Sequence, residues 1–333
     1  MDISYYFAWV NATIIDNGGM QACDFSISAP PTPGECVAFQ EVKIIHLHTG
    51  VSFMPTSLQG VLLLGGKSSD QQLISSKTLG LANCTVPPLP DTRYGHATFR
   101  TFFNQIGVCG GWWQGKPNSS DCLLLNKTSG TWDRGYMSNI FGDGVRGVVD
   151  LREHGVYLVH PMSTSFLAAR SMTWIPGPTP PGTAECATKV SDLSFVSIGG
   201  LDGKRVQEYS TGKKEWLEAN LWPHLDTGRR GPGCAITGTH LVVAGGVDGW
   251  QEVLTTVEVF RLESRAHKTA ETMREGRAFF NLVPVGETHS RLLAIGGRNG
   301  TSELPSTEWW DEEEDQWEEG PSLQTARSKL LKI

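Results

Sequence analysis

No stretch of about 18 consecutive apolar residues occurs in this 333-residue chain, so no part of it is built to cross a membrane as a helix. Positive charge is also short: 28 Lys and Arg stand against 35 Asp and Glu, a formal net charge of −7. Nucleic acids select basic surfaces and anionic membranes attract them, so neither is expected as a partner. No Lys or Arg precedes the short apolar patch in Met1–Val10, which makes it a poor signal peptide. Catalytic signatures are missing too. There is no phosphate-binding glycine motif, no nucleophile elbow and no zinc-ligand pair on a helix. The expectation is a chain that is not an enzyme, with no cofactor and no metal.

What is abundant is glycine, 38 residues, with 18 prolines, the composition of many short strands joined by tight turns. One pattern recurs: a short apolar run stopped by two glycines. It appears as Val61–Leu64 before Gly65-Gly66, Ile106–Cys109 before Gly110-Gly111, and Phe195–Ile198 before Gly199-Gly200. Leu241–Ala244 before Gly245-Gly246 and Leu292–Ile295 before Gly296-Gly297 complete the set. The first glycines stand at 65, 110, 199, 245 and 296, so the gaps are 45, 89, 46 and 51. The gap of 89 is about twice the others, which places a decayed copy near Gly155–Val159, where His160-Pro161 replaces the pair. This counts six units of about 46 residues.

Each unit reads as four short strands with no helix. One such sheet cannot bury both its faces, but a closed ring of sheets can. The expected fold is therefore all-β: a six-bladed β-propeller with a degenerate third blade, spanning 51–333. Residues 1–50 do not fit the repeat and are expected to be an irregular extension or extra strands. Trp132, Trp216 and Trp317 fall 21, 16 and 20 residues after their glycine pairs, suited to filling the wedge between blades. The fifth unit lacks this tryptophan. The segment Ala326–Leu331 looks like a unit opening and is expected to close the ring onto the first blade.

The glycine-stopped runs, the later Gly-x-Trp or Trp, and the link Pro88-Leu-Pro-Asp-Thr-Arg93-Tyr-Gly-His96-Ala97 resemble kelch repeats. Cys84 ahead of Pro87–Pro90, with Cys109 and Cys122, resembles secreted kelch-like proteins of invertebrates. The resemblance implies a six-bladed propeller that binds an unknown protein or glycan. It would bind through the loops after the glycine pairs and the loops linking blades, which share one face. Here those loops carry Trp112, Trp113, Asp202, Arg205, Trp250 and Arg298, and exposed tryptophans and arginines are the usual anchors of an interface. Folded back on their blades, the same residues would be structural. Two rival readings are an intracellular kelch adaptor of the ubiquitin-ligase or actin-associated type lacking its partner domain, and a propeller-scaffold enzyme such as a galactose-oxidase-like oxidase.

Five of the ten asparagines, Asn11, Asn83, Asn118, Asn126 and Asn299, head glycosylation sequons, which points to an extracellular or secretory location. A cytoplasmic location is the alternative. Seven cysteines leave the connectivity open. Cys109 with Cys122 and Cys23 with Cys36 are candidate bridges, while Cys186 and Cys234 read equally as small buried residues. Arg93, Arg146, Arg230, Arg277 and Arg327 recur at unit openings. They either tie blades together or ring the axis and hold an anion. His46 and His48 share a strand face without an evident third ligand. Asp311–Asp315 reads as a solvated hairpin tip.

Overall fold

The computed structural model describes residues 13–16, 19–22, 45–46, 51–53, 55–56, 60–65, 71–75, 89–90, 93–94, 96–101, 105–110, 112–113, 121–126, 129, 131–135, 144–168, 173–285, 290–323 and 326. These form an all-β propeller whose only helix among the described residues is a single 3-10 turn at Arg152–His154.

Five blades of four antiparallel strands follow one another, each laid down in chain order. The Gly110 blade comprises Ala97–Arg100, Ile106–Cys109, Cys122–Asn126 and Thr131–Arg134. The His160 blade comprises Gly147–Asp150, Val156–Val159, Thr164–Leu167 and Trp174–Pro176. The Gly199 blade comprises Ala184–Ser191, Ser194–Gly199, Arg205–Ser210 and Glu215–Trp216. The Gly245 blade comprises Gly233–Thr237, His240–Ala244, Val257–Arg261 and His267–Ala270. The Gly296 blade comprises Asn281–Val285, Arg291–Ile295, Thr307–Asp311 and Gln316–Glu319. The first strand of each blade lies beside the first strand of the next, so these strands surround the axis.

Ahead of them, Gly60–Gly65 pairs with Gln71–Ser75 on one edge and with Val51–Phe53 and Pro55–Thr56 on the other. Val51–Phe53 pairs in turn with Ile45–His46, within the expected N-terminal extension. This five-stranded sheet adjoins the first strand of the Gly110 blade. Of the expected closing segment, only Ala326 lies among the described residues.

The stacking explains why the repeated runs are continuously apolar. In Leu241-Val242-Val243-Ala244, successive side chains leave opposite faces of the sheet. Leu241 and Val243 pack with Val196, Ile198 and Val206 of the Gly199 blade. Val242 and Ala244 pack with Phe280, Leu282 and Leu292 of the Gly296 blade. Both faces are interior, so no polar alternation survives.

The glycine pairs are set by the next blade. Gly245 and Gly246 have φ of +59° and +98°, where side chains are disfavoured. A Cβ on Gly245 would stand 2.3 Å from the Arg277 carbonyl oxygen of the Gly296 blade. The third unit, expected to be degenerate, nevertheless has four strands in the common order. Its Val159 leads into a tight turn closed by the His160 N–H on the Ser163 carbonyl at 2.8 Å. A loop that short does not need the glycine-pair geometry.

Registers give one structurally equivalent aromatic position. Trp132, Trp174, Trp216, His267 and Trp317 stand opposite Leu125, Leu167, Tyr209, Phe260 and Trp310 in successive blades. Trp216 meets Phe195 edge-on at 5.7 Å, while Trp132 is half-buried against Leu89, Val108 and Leu123. In the Gly245 blade the tryptophan is replaced by His267, stacked on Phe260 at 4.6 Å.

Candidate functional site

The register fixes which loops share a face of the propeller. The start of each first strand pairs with the end of the second: Ala97 with Cys109, Gly147 with Val159, Ala184 with Gly199, Gly233 with Ala244, Asn281 with Ile295. The link entering a blade and the loop after its second strand therefore emerge together. Hydrogen bonds stitch them across blades. The Ala184 N–H donates to the Pro161 carbonyl at 2.8 Å, that of Arg229 to Gly203 at 3.1 Å, and that of Gly246 to Arg277 at 2.9 Å.

The three most exposed large apolar side chains among the described residues all sit on this face. Met162 is 67% exposed, Leu201 100% and Trp250 86%, each in the loop after the second strand of its blade. The Trp250 loop is held in shape by its own hydrogen bonds. Asp248 Oδ1 accepts the N–H groups of Trp250 at 2.8 Å and Glu252 at 2.9 Å. Asp202 does the same for its own turn, accepting the Lys204 N–H at 3.1 Å. Arg205 is exposed, its stem lying over Gly200. Arg298 is half-buried and supports its hairpin, donating to the Thr301 carbonyl at 3.2 Å. Trp112 and Trp113 pair as a short strand with Tyr94 and Arg93. Met162 and Leu201 escaped the sequence reading. The available signal was an apolar side chain directly after Gly199-Gly200, at a position with nothing to bury it.

The opening arginines divide. Arg277 is fully buried and ties its blade: Nη1 donates to the carbonyls of Gly296 at 2.9 Å and Ser306 at 3.1 Å, and Nη2 pairs with Glu308. In the preceding blade the equivalent residue is Arg229, not the expected Arg230. Arg229 donates to the carbonyls of Gly245 at 2.9 Å and Thr256 at 2.8 Å, and pairs with Glu258 at 2.6 Å. Burial pushes the Glu258 carboxyl up. The Arg229 guanidinium and the N–H groups of Asp226 and Thr227 outweigh that and hold it below the ordinary carboxylate range. Asp226, Glu258 and His267 bring ligand atoms within 4.8 Å of one another. Arg229 is bonded to Glu258 Oε1, and His267 Nε2 lies 2.9 Å from Glu258 Oε2. Arg146 and Arg230 join no such tie. Arg93 is seen only as a strand residue, and Arg327 and His48 lie outside the described residues.

The remaining expected positions fall as follows. Asn299 is exposed at a hairpin, Arg298–Asn299 against Ser302–Glu303. Asn126 spends its amide on Asp133 at 2.8 Å and on the Ser129 N–H. Asn11, Asn83 and Asn118, with Cys23 and Cys36, lie outside the described residues. Cys109 and Cys122 are direct cross-strand neighbours, Cα atoms 4.1 Å apart, within one blade. Cys186 and Cys234, read as small buried residues, lie at disulfide distance and bridge the first strands of neighbouring blades, Cα atoms 6.2 Å apart. The acidic tip is more than solvated. Glu312 contacts His240, and Asp315 accepts the Glu271 N–H at 3.2 Å, both in the preceding blade. Among the described residues, Tyr157 and Tyr209 belong to an aromatic cluster with Phe195, while the four cysteines pair with one another. Burial, with a smaller contribution from Tyr209, pushes the Tyr157 phenol up to about 12. The tyrosine–cysteine pair of a copper-radical oxidase is not formed there.

The Kelch motif matches residues 228–274 and 283–324, the Gly245 and Gly296 blades with their links. The chain carries kelch motifs. The Kelch repeat-containing protein kel-10 of Caenorhabditis elegans is 28% identical over 142 residues, 40% of this chain and 24% of that protein. A Kelch repeat and BTB domain-containing protein of the same organism is 27% identical over 188 residues, covering 54% of this chain and 32% of its own length. Human Kelch-like protein 13 is 32% identical over 132 residues, 37% of this chain and 19% of that protein. The chain thus matches between about a fifth and a third of the length of these curated relatives. The relatives and the motif support a kelch-repeat family.

Proposed function

We propose that this chain is a non-catalytic binding module that recognises a protein through the loop face. The observation that carries the reading is the clustering of Met162, Leu201 and Trp250 on that face, each solvated and each in the equivalent loop of consecutive blades. Solvated apolar groups gathered on one surface mark an interaction site. Asp202, Arg205 and Arg298 supply a polar surround. The preformed turns at Asp248 and Asp202 lower the ordering cost of binding. In this reading the sheet built on Gly60–Gly65 is a sixth blade, 51–333 is one ring closed by the C-terminal segment, and 1–50 is an extension. The two cysteine pairs and the exposed Asn299 sequon favour an oxidising, secretory setting, with carbohydrate on Asn299 limiting how large a partner can approach. The adaptor reading draws support from the relative whose name includes a BTB domain. It requires that domain to be supplied by a longer protein.

The test is crosslinking capture of partners from the native tissue with the wild-type chain and with a Leu201→Asp/Trp250→Ala variant. Surface substitutions of this kind change stability within about ±0.5 kcal/mol, so melting should be unaltered while the captured partner is lost. A partner retained in full by the variant would sink the loop-face reading.

A further inference from the structure

The Gly245 and Gly296 blades share one buried skeleton. Arg229 pairs with Glu258, and Arg277 with Glu308. Each glutamate also accepts two N–H groups from the link that enters its blade. Glu258 takes those of Asp226 at 2.7 Å and Thr227 at 3.3 Å, and Glu308 takes those of Arg274 at 2.7 Å and Glu275 at 3.2 Å. The side chains around this skeleton differ. Asp226 stands where the Gly296 blade has Arg274, and His267 stands where it has Trp317. Both differences put a metal-ligating group in place of one that binds no metal, and the first also reverses the charge.

The three groups converge. A carboxylate oxygen of Asp226, one of Glu258 and a ring nitrogen of His267 lie within 4.8 Å of one another. His267 Nε2 is already 2.9 Å from Glu258 Oε2, close to the spacing of two ligands that each stand about 2 Å from one ion. The imidazole is stacked on Phe260, and only 15% of its side chain is exposed. The Arg229 guanidinium sits on Glu258 Oε1, which leaves Oε2 toward His267. Asp226 is exposed, and among the described residues its carboxylate makes no hydrogen bond. The Lys204 ammonium close to it is bonded to the Asp226 backbone carbonyl, at 2.7 Å.

We propose that Asp226, Glu258 and His267 form a binding site for a divalent transition-metal ion. Zinc suits a set of one imidazole and two carboxylates, with water completing four-coordination. The ion takes His267 Nε2, Glu258 Oε2 and one Asp226 carboxylate oxygen. On binding, Nε2 gives up its proton and the neutral ring carries one on Nδ1. Arg229 on Oε1 and the Asp226 N–H keep Glu258 oriented, the outer bonds that a ligating carboxylate needs. The ion fastens the entering link to the third and fourth strands at the position where the other four blades carry tryptophan. Because Lys204 belongs to the loop after Gly199-Gly200, its bond to the Asp226 carbonyl ties that loop to the fastened link.

The experiment is calorimetric titration of Zn2+ into the untagged full chain, first stripped of metal with a chelator, comparing wild type, His267→Trp and Asp226→Asn. His267→Trp installs the residue of the Gly296 blade and Asp226→Asn alters an exposed side chain, so both should melt near wild type without metal. Each variant should bind Zn2+ about tenfold or more weakly than wild type. Zn2+ should raise the wild-type melting temperature and leave that of His267→Trp unchanged. Should His267→Trp fail to fold, Asp226→Asn decides alone. No binding below millimolar Zn2+ overturns the site. So does Zn2+ held as tightly by the variants as by wild type, which places the ion on another histidine. Ca2+ bound in preference to Zn2+, and equally by His267→Trp, overturns it in favour of a site built from oxygen alone.

Discussion

The Gly245 and Gly296 blades and the Gly199 and His160 blades solve one structural problem with different chemistry. Where a blade is entered, its link must be fixed to its third strand. The first two blades use a buried ion pair, Arg229 with Glu258 and Arg277 with Glu308, in which the acid faces Val243 or Ala294 on the second strand. At the equivalent register the Gly199 blade has Gln207, facing Ser197, and its link 177–183 holds no arginine. The His160 blade has Ser165, facing Leu158, with His160 Nε2 at 3.2 Å from the hydroxyl. In the Gly199 blade both members of the pair are missing together. A lone carboxylate or guanidinium there would be desolvated without compensation, so the two residues change as a unit.

The sharpest way to break this comparison is to separate the pair. Arg229→Met should cost about 3–5 kcal/mol, because it leaves the Glu258 carboxylate buried without its counter-charge. The double variant Arg229→Met/Glu258→Gln imitates the Gly199 blade and should be more stable than the single arginine variant. Denaturant unfolding of the four proteins of the cycle gives the coupling directly. Simple additivity would show that the pair is incidental and that the Gly199 blade is held by something else.

A smaller effect separates two glycines of one loop. Gly245 has a left-handed φ and meets the next blade, whereas a Cβ at Gly249 would meet nothing within 4 Å. Gly245→Ala should cost about 1–3 kcal/mol from backbone strain alone, with the Arg277 carbonyl adding to it. Gly249→Ala should fall within about ±0.5 kcal/mol. Equal melting temperatures for the two would mean that the glycine stop is not what seats one blade on the next.

How much of this could be read in the sequence follows the same division. The glycine stops and apolar runs are repeated in nearly identical form, because every blade meets its neighbours in the same way. Period, strand order and propeller class were therefore legible. Positions that vary between blades were not. His267 in the place of tryptophan, Arg229 rather than Arg230 as the tie, and the Cys186–Cys234 bridge depend on register between strands that a linear pattern does not align. The candidate site was half legible. Trp250 stood out as an aromatic residue in a loop, but Met162 and Leu201 look like ordinary core residues until their blades show that nothing covers them. Arg146 was visible as one of five opening arginines. What separates it from the tying kind is the third strand of its blade, which has Ser165 in the place of Glu258 and Glu308.

The smallest predicted effect sharpens the comparison through pH. Glu258 is held below the ordinary carboxylate range, with burial opposing and the Arg229 guanidinium and two backbone N–H groups prevailing. An unfolded glutamate titrates near about 4.3. A group depressed in the folded state contributes stability that is fully present above the unfolded value and is lost as pH falls through the folded one. Between neutrality and about pH 4.3 this carboxylate should leave stability unchanged, and below that the unfolded chain takes up the proton first. The uncharged Gln207 of the Gly199 blade adds no such term. Arg229→Met/Glu258→Gln should accordingly show a shallower acid limb than wild type when melting is followed from neutrality downward. Parallel acid limbs would mean that the Glu258 proton is bound alike in the folded and unfolded chains, and that the ion pair is no stronger a tie than the amide that replaces it one blade earlier.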